Sequence, residues 1–363
     1  MRKESTVLFI DVIRALAAIM VVVIHASTGT VLTSLKPDQL QLLYWWEAMA
    51  FNASSRAAVP LFVMISGYLL IKPQNNIAPT AWLKKRLFRI IIPLLAWIII
   101  YFSWCGLAVK YDLYTTESHE ISAISLLRDV IQGTPYYHLW FLYMLIGLYL
   151  ATPILTVYAR GADRLNKIYF VSLWVLFSAI PPFIKQVLWT NLAISVSVVS
   201  GYVGYFMLGY WLRDVMLTRK QQTIVGCVVT LSIVLSAMGT YLLTANSNGK
   251  LDQLLISPMS PTIMLATLGL FTLLKSIAWE KTYAFLPPLR SIIATLSSVS
   301  FFLYLSHPLL LDILRNSHFN YFASEANPIL GVPITVTVII FLAIAIRSIL
   351  NRIPGCNVKT FLG

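Results

Sequence analysis

Long apolar runs, separated by short polar segments, dominate this chain. Windows of about 20 apolar residues, the length that crosses the hydrocarbon core of a bilayer, occur ten times. They cover residues 7–32, 46–71, 87–109, 136–158, 168–184, 194–212, 222–245, 260–279, 292–314 and 329–350. The pattern predicts an all-α polytopic membrane protein with about ten transmembrane helices. No internal repeat or low-complexity tract divides the chain, so we expect a single integral-membrane domain over residues 1–363.

The composition agrees with this prediction. Hydrophobic residues make up 58% of the chain and charged residues 11%, whereas about a quarter of the residues in a soluble domain are charged. The first apolar run contains Asp11, Arg14 and His25. A cleaved signal peptide has an uninterrupted apolar centre, so we expect this run to remain as the first helix.

The distribution of Lys and Arg predicts the orientation in the membrane. Of the 27 basic residues, 19 fall in the terminal segments and in alternate loops on the same side, and six fall in the loops between them. The positive-inside rule therefore predicts that both termini are cytoplasmic. The net charge of +13 is not gathered in one basic domain or stripe, which argues against nucleic acid as a partner.

Ionisable side chains inside the first helix are the strongest functional signal. Such groups are costly in a bilayer and mark functional sites by default. Asp11 and Arg14 are three residues apart and share a helix face. His25 follows Arg14 by eleven residues, which returns to nearly the same face about 16 Å further along the helix. The alternative is structural: Arg14 pairs with Asp11, and His25 makes one interhelical hydrogen bond.

Five motifs resemble those of one known family. The first is Arg14 followed by ten residues and His25. The other four are, in order, "SRAAVPLFVMISGYLL" (55–70), "KKRLFRIIIP" (84–93), "YYHLWFL" (136–142) and "SFFLYLSHPLLL" (300–311). Together they resemble the membrane acyltransferase 3 family, in particular enterobacterial common antigen and other surface polysaccharide O-acetyltransferases. The chain departs from many members at Val63 and Met64, where a second aromatic residue is common, and it lacks a hydrolase-like extension.

The resemblance implies a transfer across the bacterial inner membrane. An acetyl group would pass from cytoplasmic acetyl-CoA to a hydroxyl of a cell-surface or lipid-linked glycan outside. Arg86 and Arg89, backed by Lys85, would bind the phosphates of the donor, because guanidinium groups bind phosphate bidentately. The alternative is that these residues serve topology and contact lipid headgroups. Ser66 would line the path of the pantetheine arm, or simply allow close helix packing.

His25 is the predicted general base and Arg14 the second catalytic residue. A sugar hydroxyl needs a proton acceptor at the moment of attack, and histidine is suited to that role near neutral pH. Arg14 would contact the donor or shape the path through Asp11. An acetyl-histidine intermediate is the alternative to direct transfer.

The acceptor is expected to contact four residues outside the first helix. They are Arg56, His138, Trp140 and His307. The aromatic residues around position 140 are for the most part expected to form an interfacial belt, with His138 and Trp140 as exceptions. His307 precedes Pro308, which leaves the carbonyl four residues earlier without its helical donor. The resulting kink would let His307 bond across it.

Other mechanisms are disfavoured by missing motifs. The sequence contains no metal-ligand spacing, no Walker glycine loop and no Gly-x-Ser-x-Gly elbow, so we expect no metal. The rival function is a proton- or ion-coupled transporter or glycan exporter, in which Asp11, Arg14 and His25 form an ion pathway. Such a transporter often shows inverted repeats, and none is visible.

Overall fold

The computed structural model describes residues 2–33, 39–71, 79–113, 115, 122–188, 190, 200–316, 327–353 and 358–363. These residues form fourteen α-helices and one 3-10 helix (Leu212–Asp214), and they contain no strand. The helices are α1 (Arg2–Thr33), α2 (Gln39–Ser55), α3 (Ala58–Leu70), α4 (Pro79–Tyr111), α5 (Ala123–Gln132), α6 (Trp140–Gly161), α7 (Arg164–Leu188), α8 (Tyr202–Trp211), α9 (Arg219–Asn246), α10 (Pro261–Ser276), α11 (Trp279–Phe285), α12 (Pro287–Asn316), α13 (Pro328–Leu350) and α14 (Val358–Phe361). The all-α prediction is confirmed.

Eight segments within the described residues are long and apolar enough to cross a membrane. They are Leu8–Leu32, Leu42–Leu70, Leu83–Tyr111, Trp140–Gly161, Arg164–Gln186, Arg219–Asn246, Pro287–Asn316 and Pro328–Leu350. Each coincides with one of the predicted windows. A polytopic membrane protein is therefore confirmed, whereas the count of ten and the cytoplasmic placement of the termini stay predictions.

The remaining two windows differ from simple spans. Residues 194–199 of the window 194–212 lie outside the described residues, and α8 accounts for its second half. The window 260–279 covers α10 and ends where α11 begins, and these two helices meet at a bend of 66°. Counting that pair as one broken span raises the total to nine among the described residues.

Side chains at the end of α10 explain why the helix stops there. Ile277 adopts an extended backbone conformation instead of continuing the helix. Trp279 Nε1 then donates to the Leu274 carbonyl at 2.7 Å, and Gln222 Nε2 donates to the Ser276 carbonyl at 3.2 Å. The last carbonyls of a helix have no intrahelical donor, so these bonds stabilise the bend.

The helices group into two compact units. Unit 1 comprises Met1–Asn75 and Thr152–Ser297, and unit 2 comprises Asn76–Ala151 and Ser298–Gly363. The chain passes from one unit to the other within α6 and within α12. The single domain expected over residues 1–363 remains a prediction.

In unit 1, α1 is the central helix. It packs against α2, α3, α10 and α11. Near its start, the Phe9 ring contacts Tyr68 of α3 edge to face at 5.2 Å and Phe271 of α10 at 6.4 Å. Arg213 donates to the Tyr68 and Ile71 carbonyls at 2.5 and 3.2 Å. The Arg213 cation lies at the carboxyl end of α3, where the negative end of the helix dipole stabilises a positive charge.

Two glycines set the distance between α3 and α8 in unit 1. A Cβ added at Gly67 would lie 1.8 Å from the carbonyl oxygen of Phe206. A Cβ added at Gly209 would lie 2.0 Å from the carbonyl oxygen of Met64. Backbone atoms cannot move aside as a side chain can, so the two helices approach this closely only because both positions lack a side chain.

In unit 2, α4 is tied to the helices near the carboxyl end of the chain. Tyr101 Oη donates to the Leu305 carbonyl of α12 at 2.7 Å, and Trp97 Nε1 donates to the Leu362 carbonyl at 3.2 Å. Arg347 of α13 donates to the Ser298 carbonyl. Polar tips of large side chains thus join the helices of this unit where water is scarce.

Gly67→Ala should destabilise the protein, because α3 must move away from α8 to accommodate the methyl group. Overpacking of this kind costs about 1–3 kcal/mol. Gly226→Ala is the matched control, since a Cβ there meets nothing within 4 Å. Thermal unfolding of both purified variants in detergent measures the effect. Equal melting temperatures would contradict the proposed close approach.

Candidate functional site

One unbroken helix carries the three ionisable residues of the first apolar run. Because α1 extends from Arg2 to Thr33, the eleven-residue spacing does place Arg14 and His25 on one stripe. Asp11, Arg14 and His25 are each half-buried, although most residues around them are buried. Asp11 Oδ1 accepts a hydrogen bond from Ser297 Oγ at 2.7 Å.

A polar network surrounds the turn of α1 that contains His25. Asn52 of α2 is fully buried, and its Nδ2 lies 3.3 Å from the Ile24 carbonyl, 3.1 Å from Ser27 Oγ and 3.2 Å from Thr28 Oγ1. Arg56 Nε donates to Asn52 Oδ1 at 2.7 Å. The structure therefore connects Arg56, through Asn52, to the residues on either side of His25.

Arg56 lies at a two-residue break between α2 and α3. Pro60 follows four residues later, and its missing N–H leaves the Arg56 carbonyl without the usual helical donor. On its other side, the N–H of Arg56 donates to the Ala53 carbonyl, three residues earlier, at 3.3 Å. The break thus places a cationic side chain within the segment Leu42–Leu70.

The geometry of Ser66 and Gly67 favours packing. Ser66 is half-buried, and its hydroxyl donates to the Phe62 carbonyl in its own helix at 2.9 Å. Gly67 is the point of closest approach to α8. Contact of Ser66 with the acyl donor remains a prediction.

The predicted donor-binding residues occupy the start of α4 in unit 2. Lys85 and Arg89 are exposed, and Arg86 is half-buried. Arg86 and Arg89 are three residues apart, so both project from one face of this helix. That face carries two guanidinium groups accessible to a phosphate or to a lipid headgroup.

The structure brings His138 and His307 together in unit 2. Their ring centroids are 5.4 Å apart, and both residues are buried. Tyr304 lies beside both rings, at 5.5 Å from His138 and 5.9 Å from His307, and it donates to the His138 carbonyl. The two motifs that contain these histidines therefore form one buried cluster.

Pro308, which lies inside α12, determines the bond that orients His307. Pro308 has no N–H to offer the Tyr304 carbonyl, and His307 Nδ1 lies 2.7 Å from that oxygen. Nδ1 must carry the proton to donate this bond, which makes Nε2 the basic nitrogen of the ring. The predicted bond from His307 to the carbonyl that Pro308 leaves without a helical donor is confirmed, whereas the kink in the helix stays a prediction.

The aromatic residues near position 140 occupy two different environments. Tyr136 is fully buried and stacks on Tyr101 of α4, with centroids 4.1 Å apart. Trp140 is 37% exposed at the start of α6. The burial of Tyr136 does not fit an interfacial belt, because polar partners hold that ring inside the unit. The exemption of Trp140 from such a belt stays a prediction.

Asp312 is a polar centre of unit 2 that the sequence interpretation missed. It is fully buried, and its Oδ2 accepts bonds from Tyr136 Oη at 2.6 Å, Trp104 Nε1 at 3.1 Å and Thr115 Oγ1 at 3.4 Å. Burial, followed by the charge of Asp312, raises the pKa of Tyr136, so this phenol stays protonated and donates. A carboxyl group inside the window 292–314 is the signal that would have identified it.

The candidate residues thus form separate sets in the two units. Unit 1 contains Arg14, His25, Arg56 and Ser66, whereas unit 2 contains the basic residues of α4 and the cluster of His138 and His307. No group of three or more His, Cys, Asp or Glu residues suited to a metal ion occurs in the part of the chain that the structure describes.

Comparison with known proteins decides the class of activity. The acyltransferase-3 model, described as an acyltransferase domain, matches residues 7–348, nearly the whole chain. This chain belongs to the acyltransferase-3 family. No curated protein and no solved structure matches it. Membership of this family, together with the apolar helices, makes the protein a membrane acyltransferase, which acts on an acyl donor and an acceptor.

Tyr136→Phe should destabilise this acyltransferase by about 1–3 kcal/mol, because a buried carboxyl group loses its closest donor. The control is Tyr111→Phe, since Tyr111 is 60% exposed at the end of α4. Thermal unfolding in detergent compares the two variants. A melting temperature of Tyr136→Phe equal to that of the control would show that Asp312 does not depend on this bond.

Proposed function

We propose that this protein is an O-acetyltransferase of the bacterial inner membrane, with both termini in the cytoplasm. It transfers an acetyl group from cytoplasmic acetyl-CoA to a hydroxyl of a cell-surface or lipid-linked polysaccharide on the outer side. The observation that carries this proposal is the position of His25 in an acyltransferase-family chain. It is a half-buried imidazole on a membrane-spanning helix, in line with Arg14 and beside a polar network.

His25 acts as the general base. Its imidazole takes the proton of the acceptor hydroxyl while the oxygen attacks the thioester carbonyl carbon. A C–O bond forms, the C–S bond breaks, and the imidazolium returns the proton to the departing thiolate, which leaves as CoA. Arg14, on the same stripe, contacts the donor on its way to His25. No metal takes part in this sequence of steps.

The donor and acceptor contact different groups of side chains. Lys85, Arg86 and Arg89 bind the phosphates of acetyl-CoA, and the exposure of two of these side chains supports that role. Ser66 lies along the pantetheine path. The acceptor contacts four side chains, which are those of Arg56, His138, Trp140 and His307. Exposed Trp140 offers an aromatic face to a sugar ring.

His25→Ala should lower acetyl transfer about 10²–10⁴-fold, the usual contribution of a general base. Purified protein in detergent is incubated with radiolabelled acetyl-CoA and the polysaccharide acceptor, and labelled product is counted. Ser54→Ala is the control, because Ser54 is exposed on the neighbouring helix. Full turnover by His25→Ala would remove His25 from this role. A wild-type protein that transports a glycan across sealed membranes but transfers no acetyl group would favour the exporter.

Arg86→Ala combined with Arg89→Ala should raise KM for acetyl-CoA and leave KM for the acceptor unchanged. The effect should be largest at low ionic strength, since exposed charges are screened by salt. Arg219→Ala is the control, because Arg219 is an exposed basic residue at the start of α9. Initial rates over a range of acetyl-CoA concentrations measure the effect. An unchanged KM for acetyl-CoA would show that these residues do not bind the donor and serve only the orientation of the protein in the membrane.

A further inference from the structure

We propose that Asn52 is a positioning residue that fixes the turn of α1 bearing His25. The proposal rests on the role of His25 as the base. Asn52 lies on α2, 27 positions from His25 in the chain. It lies outside the five motifs that relate the chain to its family, shortly before the motif that contains Arg56. Its amide reaches the carbonyl before His25 and the hydroxyl three residues after it.

The partners of the amide define its orientation. Arg56 Nε is a donor, so the atom of Asn52 facing it must be the oxygen. The amide nitrogen then faces α1, where it meets only acceptors: the Ile24 carbonyl and the oxygens of Ser27 and Thr28. Every polar atom of the fully buried amide is thereby used, and a rotated amide would lose these bonds.

Two hydroxyl groups in this turn of α1 bond back to carbonyls of their own helix. Thr28 Oγ1 donates to the Ile24 carbonyl at 2.6 Å, and Ser27 Oγ donates to the Val23 carbonyl at 2.8 Å. Hydroxyl groups that bond back to their own helix in this way often bend it. Asn52 Nδ2 lies within hydrogen-bond distance of the same carbonyl and of both hydroxyl oxygens, and so ties this turn of α1 to α2.

Arg56 in turn holds Asn52. Its ε-nitrogen fixes the amide oxygen at 2.7 Å, and the break at Arg56 and Ala57 lets the side chain reach back one turn along α2. The chain of contacts runs from Arg56 to Asn52 and then to the turn of His25. A base displaced by about 1 Å loses on the order of 10²-fold in rate, so this support matters for catalysis.

A double-mutant cycle tests the proposal with the full-length protein in detergent. Asn52→Ala should lower kcat for acetyl transfer by roughly 10- to 100-fold and leave both KM values unchanged. In a His25→Ala background, the same substitution should cause no further loss of the residual rate, because Asn52 acts only through His25. Ser54→Ala, on the exposed side of α2, should change neither rate.

Asn52→Asp and Arg56→Gln separate the two halves of the contact. Asn52→Asp keeps the shape and the bond from Arg56 but loses the donor to α1, so it should lower kcat as much as Asn52→Ala. Arg56→Gln keeps the donor to α1, so its effect on kcat should be smaller. Asn52→Asp also carries the test if Asn52→Ala fails to accumulate in the membrane.

Three results would overturn the proposal: an unchanged kcat in Asn52→Ala and Asn52→Asp, an equal loss with and without His25, or a change in KM alone. These outcomes differ from a failure of the proposed function. In that case the wild-type protein itself would show no acetyl transfer, and His25→Ala would equal wild type.

Discussion

Polar side chains inside this protein must find hydrogen-bond partners within the protein, because the bilayer core offers no water to hydrogen-bond them. The rest of the structure depends on this constraint. Asn52 joins α2 to α1, Asp312 joins α12 to α4 and to the segment before α6, and Asp11 accepts a bond from α12. Between apolar helices in lipid, such bonds decide which faces meet.

Prolines create the same need for partners in the backbone, because they leave carbonyl groups without a helical donor. Pro60 and Pro308 each remove a helical donor, from the carbonyls of Arg56 and Tyr304 respectively. At the second position the ring of His307 supplies the missing donor, and the histidine acquires a defined basic nitrogen as a consequence. A helix defect and a functional group therefore arise from one dipeptide. This is how a membrane helix can hold an imidazole in a single orientation through a bond to its own backbone.

The helices were largely predictable from the sequence, because about 20 consecutive apolar residues have few alternatives to a membrane-spanning helix. The bend between α10 and α11 was not, since it depends on Trp279 and on Gln222 from another helix. His25 and Arg14 were visible as ionisable residues within an apolar run. Asn52 was not singled out, because it is uncharged and its partners on α1 lie 24 to 28 positions away.

The contacts of unit 2 also divide into what the sequence shows and what only the folded protein shows. The motifs of His138 and His307 were each recognisable, but their contact joins residues 169 positions apart in the chain and appears only in the folded protein. Asp312 and Tyr136 are likewise 176 positions apart. Sequence patterns identify which residues are costly to bury, and tertiary packing decides which of them share a site.

We propose that an acetyl group crosses from one face of the membrane to the other along the stripe of α1. Sealed vesicles of known orientation, loaded with radiolabelled acetyl-CoA on the cytoplasmic face and acceptor polysaccharide on the opposite face, test it most directly. If the acetyl group crosses the membrane in this way, labelled polysaccharide will form on the face opposite acetyl-CoA. No labelled polysaccharide will form when both substrates are confined to the outer face. Product formed only when donor and acceptor share one face would contradict it.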